Sequence, residues 1–167
     1  MGDQPGLDII KGAILLERKG KAFYEVTAQN TQSEAVREIF ETMAAEEQKH
    51  IEVLSRQYHR LMNSGQLGSE RYEGSHGWIN AAVLTKKVSD QISAASYEAA
   101  AITAAMAMEE NAVKFYSQSA QTATHPLEKE LFDWLANWEK THLQFLYDLD
   151  HALKESVWYD NRFWPMA

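Results

Sequence analysis

Two short motifs stand 92 positions apart in this chain, Glu47-Gln-Lys-His50 and Glu139-Lys-Thr-His142. On a helix, residues three apart lie on one side, one turn apart. Each motif therefore offers a carboxylate oxygen and an imidazole nitrogen to the same region of space. Two further acids, Glu17 and Glu109, stand in the same 92-residue register. All four acids sit in the middle of an apolar stripe traced in steps of three and four. The stripes are Ile10, Ile14, Glu17, Tyr24, Ala28; then Phe40, Met43, Glu47, His50, Leu54, Leu61; then Ile102, Met106, Glu109, Tyr116, Ala120; then Phe132, Leu135, Glu139, His142, Leu146, Leu149, Leu153. An unpaired buried carboxylate costs several kcal/mol at least, and four facing one another also repel. Basic partners on these stripes are few, so metal cations are the economical compensation. Two divalent ions match four carboxylates in charge. Four carboxylates and two imidazoles, all oxygen or nitrogen donors, suit iron, manganese or zinc rather than copper(I). Six protein ligands shared by two ions leave positions open for dioxygen, peroxide or water.

The same spacing also occurs as Glu73-Gly-Ser-His76, but in a glycine-rich stretch with no apolar stripe, which argues against a metal role there. Glu46 and Glu110 adjoin candidate ligands, and the repeat register assigns them to the outside. Tyr24 and Tyr116 follow Glu17 and Glu109 by seven residues, which returns them to the same face two turns on. As core residues they need only a partner for the hydroxyl. As functional residues they would hydrogen-bond a ligand carboxylate or donate an electron beside the metals. His59, His125 and His151 lack a partner pattern and read as surface or cap residues.

Four long helices can position such a site, over roughly 6–29, 33–62, 92–122 and 126–155. These stretches carry few glycines, no internal proline, and many good helix formers. Ser33 suits a cap for the second helix. Thr124 or His125 suits a cap for the fourth, with Pro126 in its first turn. No segment alternates with period two for long enough to predict a strand. Short joins make antiparallel hairpins of helices one and two and of helices three and four. The 63–91 connection between them is long enough to cross the bundle, and 78–88 within it could form a short helix. Two hairpins joined by one long crossover make an all-α four-helix bundle. The 92-residue shift also aligns Phe23-Tyr24 with Phe115-Tyr116, Phe40 with Phe132, and Leu54 with Leu146, without a gap. The bundle is therefore expected to be an internally duplicated hairpin with pseudo-twofold symmetry, spanning 1–155. The aromatic tail 156–167 is expected to pack over the bundle or against a partner subunit.

Composition sets outer limits. The chain has 167 residues and 45% hydrophobic residues, which fits one domain with a substantial core. Sixteen Lys and Arg against 24 Asp and Glu give a net charge of -8, which excludes the basic footprint a nucleic-acid binder needs. The absence of cysteine excludes disulfides, a thiol nucleophile and cysteine-ligated iron. No apolar run approaches the roughly 20 residues that span a bilayer. The beginning Met-Gly-Asp-Gln-Pro-Gly lacks the pattern of a signal peptide, so a cytoplasmic protein is expected.

Taken together, Glu17 with Phe23-Tyr24, Glu47-Gln-Lys-His50, Glu109 with Phe115-Tyr116, and Glu139-Lys-Thr-His142 resemble the rubrerythrin branch of the ferritin-like superfamily. The resemblance covers nearly the whole chain except the 63–91 connection and the tail. It implies a ferritin-like four-helix bundle holding a di-iron centre. Glu47 and Glu139 would then be bridging carboxylates, Glu17 and Glu109 terminal carboxylates, and His50 and His142 terminal imidazoles. It implies peroxide or dioxygen reduction or iron(II) oxidation, an external electron donor, and a homodimer. An iron-storage protein and a non-redox zinc protein are the alternative readings. Two departures stand out. The chain lacks the four cysteines of a rubredoxin-like iron site, and Met106 occupies the place where peroxide-reducing members carry an additional Glu. In this respect the ligand set is more similar to the symmetric site of bacterioferritin.

Overall fold

A computed structural model describes residues 5–72 and 81–159. Among these residues the regular secondary structure is all helical: α1 (Pro5–Asn30), α2 (Glu34–Ser64), α3 (Ala81–Gln91), α4 (Tyr97–Thr122) and α5 (Pro126–Trp158). Helix boundaries follow local chemistry. Ser33 Oγ accepts the Val36 N–H at 3.2 Å and caps α2. At its other end Gly65 takes a left-handed conformation, φ 70°, and returns its N–H to the Leu61 carbonyl. That conformation is easy only for glycine. His125 Nδ1 accepts the Leu127 N–H and caps α5, where Pro126 needs no donor in the first turn.

The expected third helix, 92–122, starts later than predicted. Ser96 Oγ accepts the Ala99 N–H, so α4 begins at Tyr97, and the segment 92–96 is a turn. Helix-favouring composition alone hid this stop, because Ala94 and Ala95 lie between serines that satisfy the backbone locally. The short helix of the connection runs over 81–91. Residues 73–80, with Glu73 and His76, lie outside the described residues, and so does most of the aromatic tail.

Helix pairs α1–α2 and α4–α5 pack along their lengths. Residue pairings give the directions. Glu17 meets His50 while Ala28 meets Arg37, so α1 and α2 are antiparallel. Tyr24 meets Glu109 while Tyr116 meets Glu17, so α1 and α4 are antiparallel as well. Helices α2 and α4 consequently point the same way, and the chain between them must travel the bundle's length. That passage is pinned at both ends. Buried Gln57 accepts the Gly68 N–H at 2.8 Å and donates to its carbonyl. Gln91 Oε1 accepts from Ser33 Oγ at 2.8 Å and ties the end of α3 to the start of α2.

The apolar interior divides into two clusters. One contains Tyr24, Phe40, Ala44, Ile102 and Leu146, and the other contains Tyr116, Phe132, Ala136, Ile10 and Leu54. Each residue of the first becomes its counterpart in the second under the 92-residue shift. The core itself is thus duplicated, and a polar layer lies between its halves.

Candidate metal centre

That layer is made of six side chains. Glu17 comes from α1, Glu47 and His50 from α2, Glu109 from α4, and Glu139 and His142 from α5. None is more than 3% exposed. Their ligand atoms fall into two groups, Glu17, Glu47, His50 and Glu139, and Glu47, Glu109, Glu139 and His142. Within each group these atoms lie within 4.8 Å of one another. Glu47 and Glu139 belong to both groups. Helical geometry explains the sharing. Each Glu-x-x-His places its carboxylate at the centre and its imidazole one turn away, towards opposite ends of the layer.

Distances show how crowded the layer is. His50 Nδ1 lies 2.9 Å from Glu139 Oε1, 3.1 Å from Glu17 Oε2 and 3.4 Å from Glu47 Oε2. His142 Nδ1 lies 3.0 Å from Glu139 Oε2, 3.6 Å from Glu109 Oε1 and 3.8 Å from Glu47 Oε1. Both rings thus aim Nδ1 into the carboxylates. Neither oxygen of Glu139 meets hydrogen-bond geometry, although both are buried. A buried carboxylate without a donor is expensive, and a cation between the oxygens and imidazoles removes that cost. The donor set, all carboxylate and imidazole, fits a pair of divalent ions.

Tyr24 and Tyr116 hold the outer acids. The Tyr24 hydroxyl donates to Glu109 and the Tyr116 hydroxyl donates to Glu17. These are one contact repeated by the pseudo-symmetry. Both rings also pack in the core, stacked on Phe40 and Phe132. Burial and the neighbouring carboxylates hold both phenols well above their ordinary range, so they remain donors.

Without metal, protons must balance the layer. Burial and the nearby Glu139 and Glu17 carboxylates push Glu47 well above the usual carboxylate range. Glu109 is pushed up to about 7, by burial and Glu139. Burial works to neutralise His50, but Glu139 and Glu17 outweigh it and hold the imidazole well above its ordinary value. His142 is raised in the same sense, against burial, by the Glu109 and Glu139 carboxylates beside Nδ1 and by the Glu46 carboxylate at Nε2. Glu139 moves the other way: its burial is overcome by the two imidazoles. The Glu109 proton therefore stabilises the metal-free fold fully below pH 4.5, and this contribution is lost as pH rises to about 7.

One residue departs from the sequence expectation. Glu46, assigned to the outside, is buried and only 6% exposed. Its Oε2 lies 2.6 Å from His142 Nε2 and accepts the Trp138 Nε1–H at 3.0 Å. The repeat register misled because position 138, its counterpart, holds tryptophan. The steps Ile39, Met43, Glu46, His50 trace a second buried stripe on α2 and could have revealed it. Glu110 does lie outside, where it accepts from the Tyr147 hydroxyl.

A cavity of about 190 Å³ opens between α1 and α4 and reaches the carboxylates of Glu17, Glu47, Glu109 and Glu139. Gly20 and its counterpart Ala112 flank it. A Cβ at position 20 would stand 3.7 Å from the Glu47 carboxyl carbon, so the small residue leaves room directly over the ligands.

Comparison with known proteins agrees with this geometry. A solved structure of a hypothetical protein from Pyrococcus furiosus shares the fold, with a TM-score of 0.61 over 90% of each chain at 20% identity. Among curated proteins no significant match is found. The family model described as Rubrerythrin matches residues 8–150, a span that includes all four long helices' ligand positions. With an all-helical fold, a buried carboxylate and histidine cluster able to hold metal ions, and that match, the chain belongs to the rubrerythrin family of the ferritin-like superfamily.

Proposed function

We propose that this protein holds a dinuclear metal centre, with iron as its metal, and acts as an oxidoreductase. In this reading it oxidises iron(II), or reduces peroxide or dioxygen with electrons from an external donor. The single observation that supports it most is the overlap of the two ligand groups at Glu47 and Glu139. Shared carboxylates would let the layer hold two ions, and the cavity beside them favours turnover over a sealed structural site. Glu47 and Glu139, common to both ligand groups, would hold both ions, while Glu17 and His50 would hold one and Glu109 and His142 the other. When bound, the di-iron pair supplies one electron per ion to a small oxidant. Tyr24 and Tyr116 fix the outer carboxylates, and the apolar clusters on either side limit water. The bundle topology is that of two hairpins and a crossover, and the assembly is a homodimer. These 167 residues contain no cysteine, so no cysteine-ligated centre within them relays electrons, and the donor in this reading is external to them.

Anaerobic loading with iron(II), followed by peroxide, is expected to produce a di-iron(III) absorption band and turnover with added reductant. A full metal complement with no band would contradict redox function and favour a structural site. Light scattering should read near twice the chain's 19.0 kDa. A large multi-subunit particle would instead favour iron storage.

Metal binding must also displace the protons that balance the layer. Without metal, burial and the neighbouring carboxylates push the Glu47 carboxyl and the two imidazoles towards their protonated forms, and Glu109 titrates at about 7. Loading in weak buffer is therefore expected to release protons. Apparent affinity should therefore fall as pH drops from 7 towards 5. Calorimetry in buffers of different ionisation enthalpy gives the proton count, and a count near zero would contradict the protonation pattern.

A further inference from the structure

The six ligands obey the pseudo-twofold repeat, but the residues behind them do not. Position 46 corresponds to position 138 under the 92-residue shift, and the two carry Glu46 and Trp138. Behind His142, the Glu46 carboxylate lies 2.6 Å from Nε2. That acceptor keeps the proton on Nε2, so that Nδ1, which faces the carboxylate layer, is the nitrogen that gives up its proton to bind a metal. Behind His50 there is no counterpart. His50 Nε2 is buried and has no hydrogen-bond partner among the described residues. Its neighbours there are the Trp134 and Trp138 rings, edge to face at 5.6 and 5.1 Å between centroids. The Trp138 N–H is turned away from His50 and donates to Glu46. The tryptophan that occupies the repeat position therefore braces the support of the opposite half.

The geometry points to two inequivalent half-sites, with the half built on His142 and Glu109 filling before the half built on His50 and Glu17. Glu46 is the positioning residue that creates the difference. A carboxylate behind a ligating imidazole raises its basicity and fixes its ring, and losing such support costs about 10- to 100-fold in metal affinity. Charge adds to the effect: Glu46 brings a negative charge to one half only. This inference rests on the dinuclear reading above.

Zinc(II), which is diamagnetic, is the probe, followed by ring-nitrogen NMR of histidine-labelled protein. One equivalent added to the wild-type chain is expected to shift the His142 resonances and leave those of His50 nearly unmoved. A second equivalent then shifts His50. In Glu46→Gln the first binding step should weaken by about 10- to 100-fold, and one equivalent should divide between the halves. Equal shifts of both rings in the wild type, or filling of the His50 half first, would overturn the proposal. So would equal weakening of both steps in E46Q. The wild-type titration needs no variant and decides the order of filling alone. No zinc binding by the wild type would overturn the dinuclear reading together with this one, whereas two equal sites would overturn only this one.

Discussion

Glu47→Ala combined with Glu139→Ala is expected to reduce bound metal from two ions per chain to none. These two residues are the only ones common to both ligand groups. Removing them leaves each half with one carboxylate and one imidazole, Glu17 with His50 and Glu109 with His142. Two ligands in a buried layer cannot replace an ion's hydration shell, so affinity is lost at both positions together. The same change separates binding from folding. The metal-free wild type buries Glu47 against Glu139 and Glu17, and this repulsion joins the cost of burial. Removal relieves that cost but leaves space, and a carboxylate-sized deletion in a packed core opposes the gain. The doubly substituted chain should thus remain helical by circular dichroism, with a melting temperature indifferent to metal. Elemental analysis after loading reads the result directly. Retention of two ions would show that the ligands lie elsewhere.

Chelation of the wild-type protein should have a comparably large effect on stability. An ion present at about a thousand times its dissociation constant contributes about 4 kcal/mol. For a domain of this size each kcal/mol moves the melting temperature by about 2–4 °C. Two ions together should raise it by roughly 15–30 °C, and a strong chelator should return it to the metal-free value. The sign follows from the layer. Four carboxylates and two imidazoles between apolar clusters are held without metal only by protons and their mutual contacts. The gap between loaded and metal-free forms should widen as pH rises from 4.5 to 7, because the Glu109 proton that supports the metal-free fold is lost over that range. A melting temperature unchanged by chelation would contradict this.

Much of this arrangement was legible in the sequence because a duplicated helix pair writes each constraint twice. Glu47 and His50 alone are an ordinary helix surface pattern. Their repetition as Glu139 and His142, in register with Phe40 and Phe132, places them on an inward stripe. The two apolar clusters follow from the same register. What the register could not supply are the places where the halves differ. Glu46 was misplaced because its counterpart is Trp138, and a repeat argument treats such a mismatch as an outer position. The start of α4 was misplaced because Ser96 stops the helix through a side-chain hydrogen bond, while the composition of 92–96 favours continuation. Gln57 was also missed, since its two bonds to Gly68 join residues that no periodicity connects. Pattern reveals what symmetry and helical spacing impose, and it is silent about contacts made once.

The most direct test of the dinuclear reading is anomalous diffraction from crystals loaded anaerobically with iron(II). Two iron peaks between Glu47 and Glu139 are expected, one within bonding distance of His50 Nδ1 and the other of His142 Nδ1. A single peak, or peaks lying outside the six buried side chains, would contradict it.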